Sequence, residues 1–470
     1  MTKVSVFVGV LLMLLLIVPF SVLADTKDTN QKIQTYVEEA IEKYNIPGAS
    51  LAITENGETV YQDNWGVLSD GTSVTAETPF LIGSLSKPIT SLAAMMLVED
   101  GKIKLDEPIQ TYIPSFHYET DSQVPITVKH LLEQTSGISE FEGFQVTDVN
   151  KTRDWGISQA VTELSGVTLS SEPGENYEYN SANYLLIGAI VEEAADQPFS
   201  EFVQSNIFLP LGMDHSAAEY DRAVDTGYLP GFESWLGSPV KSKGLYDLAG
   251  APYGYMSSSS NDLVEFLRFM MHGGELLTDK SLELIKTPPE EGRKYGLGWF
   301  FSETDHYLYH GGAVSDFRAE MFFMPERDYG AVLLTNKYNA LEDEQVYHMM
   351  NGIRSIINGE EPEDLPPKNL TLQWTLLGVN IFIAALSVFY LLRLKRHKHS
   401  SHKVSFSIGI LSILAAVGLI PLFVYSMGTP WEAVQIWTPD IAFLMQSLIV
   451  IFAATGVLSL FITFMKKKTA

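Results

Sequence analysis

Cysteine is absent from this chain of 470 residues, which excludes disulfides and cysteine-ligated metal sites. Positive charge is also scarce, because 57 Asp and Glu outnumber 31 Lys and Arg and give a formal net charge of -26. Nucleic-acid binding needs clustered cations that neutralise phosphates. The composition therefore argues against a nucleic-acid partner.

Two common catalytic signatures are missing as well. The chain contains no Gly-x-Ser-x-Gly, the nucleophile elbow of α/β-hydrolases. It contains no His-Glu-x-x-His or comparable group of ligands either, so no metal site is predicted. Acidic residues are abundant, but no spacing singles out a carboxylate pair, and a solvated acidic surface explains them.

Charged residues are missing from three long apolar runs that close the chain. The runs cover residues 370–392, 404–427 and 441–465, and each is long enough to cross ~30 Å of hydrocarbon as a helix. Helices buried in a protein core are the alternative interpretation. Three uncharged runs of this length instead favour a membrane domain over residues 370–470, with three transmembrane helices in a lipid membrane.

The basic residues predict the orientation of these spans. Residues 366–470 contain nine Lys and Arg but only two acids, Glu432 and Asp440. The cations cluster between the first two spans, at 393–398, and after the third span, at 466–468. Because basic loops stay in the cytoplasm, we expect a multi-pass protein of the cell membrane with a cytoplasmic C-terminus and an extracellular body.

The N-terminus predicts export of that body. Lys3 precedes an apolar run from Val4 to Phe20, and Val22-Leu23-Ala24 ends with a small residue. This pattern is typical of a signal peptide over residues 1–24 that is cleaved after Ala24, and an uncleaved anchor is the alternative. Residues 361–369 are acidic and proline-rich and predict a linker. The exported body then covers residues 25–360.

The periodicity of the body predicts an α+β fold. Apolar residues at helical spacing over 33–44 are followed by alternating residues on either side of Asn56-Gly57, which indicate a hairpin. The pattern predicts helices over 84–99, 126–134, 181–195 and 341–358, and strands over 296–301, 306–310, 319–324 and 330–336. Strands at both ends with helices between them predict an antiparallel sheet flanked by helices, with an inserted all-helical lobe.

Ser84 and Lys87 are spaced as a nucleophile and its base. A serine hydroxyl reacts only when a neighbour takes its proton, and residues three apart share a helix face. Lys87 can therefore reach Ser84 if burial or nearby charge lowers the pKa of its amine. The spacing alone is weak evidence, because Ser-x-x-Lys also occurs at Ser238 and Ser400.

The sequence around this pair, FLIGSLSK at 80–87, resembles the active-site helix of the serine penicillin-binding proteins and class C β-lactamases. Further segments follow the family pattern in order, at 97–114, 126–139, 173–195, 310–312 and 333–336. The resemblance covers about residues 30–350 and implies the β-lactamase/transpeptidase-like fold. Gln134 stands where family members often have His, and we interpret it as structural support.

The family's second motif, Tyr-x-Asn, falls on Tyr179-Asn180-Ser181. The resemblance implies that Tyr179 moves the proton between the serine and the leaving group. Ser181 replaces the usual asparagine at a position that contacts substrate, and Asn180 or Asn183 is an alternative in that role. We expect Lys87, when charged, to lower the pKa of Tyr179.

The third motif, Lys-Thr-Gly in many β-lactamases, is His310-Gly311-Gly312 here, at the end of a predicted strand. Such versions resemble those of the family's esterases, peptidases and D-amino-acid amidases. His310 is expected to bind a substrate carboxylate when protonated or to assist the tyrosine. The resemblance also implies that the backbone N–H groups of Ser84 and Ala313 hold the oxyanion, and small residues such as Gly312 let the strand approach the substrate.

These residues predict a membrane-anchored serine hydrolase that forms an acyl-enzyme on Ser84, with Lys87 and Tyr179 as the other catalytic residues and no cofactor. The resemblance implies a D-amino-acid peptide, an ester or a β-lactam as substrate, and the location favours peptides of the cell wall peptidoglycan. The alternative is a catalytically weak or inactive penicillin-binding-like module that is used for ligand binding or signalling.

Overall fold

A computed structural model describes residues 18–149, 156–289, 292–303, 306–397 and 401–469. The first 17 residues of the predicted signal peptide lie outside the described residues. A helix begins at Val18 and ends at Tyr44, so the predicted cleavage position after Ala24 falls within it. The signal peptide and the domain boundaries remain predictions.

Six strands from both ends of the body form the central sheet. Its strands, in spatial order, are Glu58–Gly66, Gly48–Glu55, Tyr329–Thr335, Phe317–Met324, Leu308–Val314 and Phe300–Phe301, and every neighbouring pair is antiparallel. This confirms the expectation that distant parts of the chain close one antiparallel sheet. The strands among the described residues are β1 Gly48–Glu55, β2 Glu58–Gly66, β3 Phe80–Leu81, β4 Tyr118–Glu119, β5 Val167–Thr168, β6 Phe232–Trp235, β7 Ser238–Lys241, β8 Ser257–Ser258, β9 Phe300–Phe301, β10 Leu308–Val314, β11 Phe317–Met324, β12 Tyr329–Thr335 and β13 Lys337–Tyr338.

Helices cover both faces of this sheet, because its strands carry apolar side chains on both. Leu333 belongs to one apolar cluster, with the first and last helices of the body, whereas Val332 and Leu334 belong to the other, with the helical lobe. The helices are α1 Val18–Tyr44, α2 Ser86–Glu99, α3 Val128–Leu132, α4 Glu140–Gly143, α5 Gly156–Leu164, α6 Ser181–Ala195, α7 Phe199–Val203, α8 Leu209–Leu211, α9 Tyr220–Asp225, α10 Ser260–His272, α11 Asp279–Lys286, α12 Glu344–Ile357, α13 Thr371–Arg396, α14 His402–Met427, α15 Trp431–Trp437 and α16 Pro439–Thr469.

The structure corrects several predicted boundaries. The helix expected over 126–134 is limited to α3, and the strand expected over 296–301 is limited to β9, because Gly298 has a φ of +87° and lies in a turn. The strand expected over 306–310 continues to Val314. His310-Gly311-Gly312 therefore lies inside β10 rather than at its end.

Three helices after the body, α13, α14 and α16, are long and apolar enough to cross a membrane, which indicates a membrane protein. Residues 361–370 before them form neither helix nor strand, and their backbone accepts hydrogen bonds from Lys43 at Leu365 (2.6 Å) and from Tyr44 at Pro366 (3.0 Å). At the far end, Lys466 Nζ donates to the carbonyl of His397 (2.6 Å). The basic ends of α13 and α16 thus lie side by side.

Candidate active site

Ser84 lies in a tight turn that leads into α2. Gly83–Leu85 forms one turn of 3-10 helix, and α2 continues from Ser86. Gly83 has a φ of +55°, and a Cβ there would lie 2.2 Å from the backbone N of Ala313. Only glycine fits a left-handed backbone with such close contact, so this residue fixes how Ser84 meets β10.

Lys87 is fully buried beside this serine. Its Nζ lies within hydrogen-bond distance of Ser84 Oγ (2.9 Å) and Tyr253 O (2.8 Å), and 3.5 Å from Ser181 Oγ. Burial lowers the pKa of the Lys87 amine to about 7, and the negative charge of Asp148 opposes this shift. The amine therefore loses its proton near neutral pH and can then accept one from Ser84.

Tyr179 completes the trio that the sequence predicted. Its ring centroid is 4.9 Å from Lys87 Nζ. Burial raises the pKa of Tyr179 well above its ordinary value, although a hydrogen bond with Ser84 opposes the shift. The expected lowering by Lys87 was wrong, because desolvation of a phenolate outweighs the attraction of one amine that is itself close to neutral. Tyr179 keeps its proton and can act as a donor.

Ser181, rather than either nearby asparagine, faces Lys87. Asn180 caps α6, since its Oδ1 accepts from Asn183 N (3.1 Å), and its Nδ2 donates to Ile138 O (2.7 Å). Gln134 Oε1 accepts from Asn180 N (3.1 Å) and from Asn183 Nδ2 (2.6 Å). These contacts support the interpretation of Gln134 as structural, and they occupy both asparagines away from Lys87.

His310 is buried on β10 and carries no charge at neutral pH. Its Nδ1 lies 2.7 Å from Gly311 O, and a carbonyl can only accept, so Nδ1 donates. Its Nε2 is left to accept from Tyr295 OH at 3.2 Å. Burial, followed by the charge of Lys87, lowers the pKa of His310 to about 3. This shift disfavours the charged imidazole that binding a carboxylate would need, and the partner of His310 in the structure is Tyr295.

Two glycines bring β10 into contact with the turn that carries Ser84. A Cβ on Gly312 would lie 2.0 Å from Ile82 O, and one on Gly83 would meet Ala313 N. Ser84, Gly312 and Ala313 line the same groove, whose volume is ≈ 280 Å³. The amides of Ser84 and Ala313 thus belong to two backbones that meet at the groove, as an oxyanion hole requires.

Sequence reasoning missed four ionisable residues near this site. Asp148 is buried with a φ of 57°, and burial raises the pKa of its carboxyl while Lys87 lowers it. Arg318, Glu320 and Asp343 line the groove. Arg318 and Glu320 are two residues apart, so a strand prediction places them on one face. Nothing in the sequence near Asp148 indicated its electrostatic interaction with Lys87.

Known proteins share this arrangement of the chain. The Beta-lactamase family model matches residues 33–349. Protein flp of Staphylococcus aureus is 28% identical over 69% of this chain and 66% of the strain MRSA252 protein. The strain MW2 protein is 26% identical over 93% of this chain and 92% of its own length. Penicillin-binding protein 4* of Bacillus subtilis is 24% identical over 73% of this chain and 79% of that protein.

Solved structures show the same fold. The octameric penicillin-binding protein homologue from Pyrococcus abyssi aligns with a TM-score of 0.62 and 23% identity, over 71% of this chain and 78% of that one. The D-amino acid amidase from Ochrobactrum anthropi aligns with a TM-score of 0.60 and 23% identity, over 71% of this chain and 99% of that one. Since the family model covers more than half of the chain, from α1 to α12, this chain belongs to the Beta-lactamase family, whose members are serine hydrolases.

Proposed function

We propose that this protein is a membrane-anchored serine hydrolase that forms an acyl-enzyme on Ser84. The observation that carries the proposal is the 2.9 Å separation of Ser84 Oγ from the Nζ of a fully buried lysine. Such an amine is neutral in a large fraction of molecules near pH 7, because burial penalises its charged form. A hydroxyl beside a neutral amine is the arrangement that activates a serine.

The first step moves one proton. A neutral amine has two N–H groups and one lone pair. The carbonyl of Tyr253 and the hydroxyl of Ser181 accept the two N–H groups, at 2.8 and 3.5 Å, which leaves the lone pair for Ser84. As Oγ attacks the substrate carbonyl, its proton passes to Lys87 and the new oxyanion is held by the amides of Ser84 and Ala313.

Tyr179 delivers the proton to the leaving group. Its phenol keeps its proton because burial raises its pKa, its hydroxyl interacts with Ser84, and its ring centroid is 4.9 Å from Lys87 Nζ. The leaving group takes this proton, and the Lys87 ammonium restores it to Tyr179. Water then attacks the acyl-enzyme by the reverse path, which releases the acid and returns the proton to Ser84.

We propose D-amino-acid esters and peptides, including those of the cell wall, as substrates in preference to β-lactams. The neighbours include a D-amino acid amidase and a hydrolase with promiscuous acyltransferase activity, EstCE1. Two features of the groove support the preference. His310 is uncharged, and Arg318 already donates to four protein oxygens. The carboxylate of a penicillin or cephalosporin therefore meets no available cation on β10 or β11.

The body is proposed to lie outside the cell and the C-terminus inside it. The start of α16 contacts the body, since Asp440 Oδ2 accepts from Leu236 N (3.2 Å), whereas the basic residues at 393–397 and Lys466 are at the other end of the helices. Positive charge on that end supports a cytoplasmic location.

Because the chain has no cysteine, single introduced cysteines test this orientation without background labelling. A membrane-impermeant maleimide should label Ser115→Cys in intact cells, but Ser401→Cys only after permeabilisation. The opposite pattern would reverse the orientation.

Covalent labelling tests the hydrolase. The full chain in detergent should react with a fluorophosphonate probe, and Ser84→Ala should abolish the reaction. A fluorescent penicillin should label wild type more slowly than the fluorophosphonate does. If folded wild type reacted with neither probe, the alternative of a ligand-binding or signalling module would replace the proposal.

A further inference from the structure

The groove that contains Ser84 also contains three charged side chains, Arg318, Glu320 and Asp343, which we call the charged triad. Glu320 is only 3% exposed and Arg318 7%, although both line the groove. Their strand, β11, lies next to β10, where a Cβ on Gly311 would lie 2.9 Å from both Arg318 Nη1 and Glu320 Oε1. The triad therefore borders the groove at Gly311, because glycine has no side chain that would cover it.

The guanidinium of Arg318 is already committed to protein oxygens. Nε donates to Asp343 Oδ1 (2.9 Å) and Nη2 to Glu320 Oε1 (2.6 Å). Nη1 donates to the carbonyls of Gly312 (3.1 Å) and Ala319 (2.5 Å). Four of the five N–H groups of an arginine are thus used, and the planar fork cannot also pair with a substrate carboxylate through two hydrogen bonds.

Each of the two carboxylates, in contrast, has one oxygen that accepts no hydrogen bond from the part of the protein that the structure describes. Asp343 Oδ1 takes hydrogen bonds from Arg318 and from Tyr338 OH (3.0 Å), and Glu320 Oε1 takes one from Arg318. Across the described residues, no hydrogen bond reaches Asp343 Oδ2 or Glu320 Oε2. Glu320 is nearly buried, whereas the Asp343 side chain is 47% exposed, so the open oxygens can be reached from the groove. A charged donor on a ligand can pair with them there, because hydrogen bonds between charged groups are the stronger ones.

The charges near the triad favour a cation as that donor. The triad contains two carboxyl groups and one guanidinium. Burial raises the pKa of Glu320 to about 7, and the charge of Arg318 opposes that shift, as a bound ammonium group would. His310 on β10 is uncharged at neutral pH. The next cation on α12, Arg354, lies over the ring of Tyr307 at 4.2 Å and donates to its hydroxyl (2.6 Å). Tyr309 and Tyr347 also line the groove, and aromatic rings attract cations through their faces.

We propose that the charged triad is a subsite for a positively charged group of the substrate, such as the ammonium group of an amino-acid ester or peptide. The ammonium donates to the open oxygens of Glu320 and Asp343 while the carbonyl of the same molecule lies at Ser84. Arg318 holds the two carboxylates in place and is a positioning residue. This inference rests on the proposed function, because it assigns the substrate class of the same groove.

A matched pair of substrates tests the subsite. D-phenylalanine methyl ester carries an ammonium group, and N-acetyl-D-phenylalanine methyl ester does not. For the full chain in detergent, we expect kcat/KM to be ~10- to 100-fold higher for the ammonium ester, as one good charged contact is worth ~1.5–3 kcal/mol. Glu320→Gln and Asp343→Asn should each reduce this ratio ~10-fold, mainly through KM. The control Glu344→Gln, an exposed acid next to Asp343, should keep the ratio.

Two further measurements distinguish a failure of the proposed subsite from a failure of the proposed hydrolase. Fluorophosphonate labelling of each variant reports whether its active site is folded. Binding of both esters to Ser84→Ala, measured by calorimetry, does not depend on catalysis and should also favour the ammonium ester. Equal affinities there, or a ratio that neither Glu320→Gln nor Asp343→Asn changes, would overturn the subsite while leaving the hydrolase intact. A loss of labelling in wild type would instead contradict the hydrolase, and the binding ratio would still decide the subsite.

Discussion

The body buries charged side chains, whereas the membrane region after residue 370 exposes apolar ones. Lys87 and Asp316 are completely buried in the body. In the membrane region, large apolar residues such as Ile381, Leu411 and Val450 are more than half exposed. Burial in the body changes the protonation of reactive groups, while exposed apolar surface matches a lipid environment and needs no partner. The comparison separates the region that is proposed to do the chemistry from the region that only needs to be compatible with its solvent.

Polar groups in the membrane region are used to join helices. Tyr390 OH lies 2.7 Å from Ser459 Oγ, which donates to Ser405 O at 2.9 Å. A Cβ on Gly409 would lie 2.7 Å from Leu460 Cγ, so α14 and α16 pack closely there. Small residues and interhelical hydrogen bonds are typical of helix packing in membranes.

The two regions meet at Asp440, the buried acid at the start of α16. Its Oδ1 accepts from Asn339 Nδ2 at 3.1 Å and its Oδ2 from Leu236 N. Trp437 packs edge-on against Tyr338, with ring centroids 5.8 Å apart, and Tyr338 OH donates to Asp343 in the groove. The contacts of α15 and α16 with the body thus reach Tyr338, which is a hydrogen-bond partner of Asp343 in the charged triad. The membrane region therefore packs against the body and is not joined to it by the linker alone.

The largest effect is expected from removing the buried amine. Lys87→Met should slow fluorophosphonate labelling by ~10³-fold, since a positioned base contributes about 10²–10⁴. The exposed lysine in Lys102→Met is the matched control and should label like wild type. Unchanged labelling of folded Lys87→Met would contradict the role of this buried amine as the base for Ser84.

The next largest difference between the two regions is expected when one methyl group is added to a glycine of each. Gly312→Ala places a Cβ 2.0 Å from Ile82 O, so it should destabilise the body by ~1–3 kcal/mol and slow labelling by ~10²-fold as the Ala313 amide moves. Gly378 in α13 has nothing within 4 Å of an added Cβ. Gly378→Ala should therefore leave labelling unchanged and keep or raise the thermal midpoint. Equal behaviour of the two variants would contradict the close contact at β10.

The pH dependence of labelling should follow the neutral form of Lys87. The pKa of this amine is lowered to about 7, and only the deprotonated amine accepts the proton of Ser84. The rate should rise ~10-fold per pH unit below the midpoint and become constant above it. A rate that falls as pH rises from 6 to 8 would exclude Lys87 as the base.

Breaking the contact between the regions should affect stability more than chemistry. Asp440→Ala leaves the donors Leu236 N and Asn339 Nδ2 without this acceptor, which should lower the free energy of unfolding by ~1–3 kcal/mol and increase hydrogen exchange around residues 336–343. Glu432→Ala changes an exposed acid of α15 and is the control. If both variants matched wild type, the regions would be joined only by the linker.

The smallest effect is expected at Asp148. Its negative charge raises the pKa of Lys87, so Asp148→Asn should move the midpoint of the labelling profile to lower pH without changing the rate plateau. The measurement compares the labelling rate as a function of pH between the variant and wild type. A midpoint that moves to higher pH would show that Asp148 does not act on Lys87 through its charge.

Much of this site was readable from local patterns. The spacing of Ser84 and Lys87 predicted their contact because a helix turn places them side by side, and the helix over 181–195 was predicted with its observed bounds. The direction of the pKa shift of Tyr179 was predicted wrongly, and the complete burial of His310 was not predicted. Each depends on how completely residues distant in sequence, such as Tyr295, exclude water from the ring, and spacing contains no information on that.

The sequence by itself predicted the order of the regions, the apolar runs and the candidate nucleophile Ser84, because periodicity, charge and i, i+3 geometry are local properties of a chain. Only the tertiary structure decided that the N–H groups of Arg318 are used by protein oxygens, that the charge of Asp148 acts on Lys87 and that Asp440 joins the membrane region to the body. These features depend on burial and on contacts between residues up to about two hundred positions apart, and the free energy of a buried charge is set by its surroundings rather than by its neighbours in sequence.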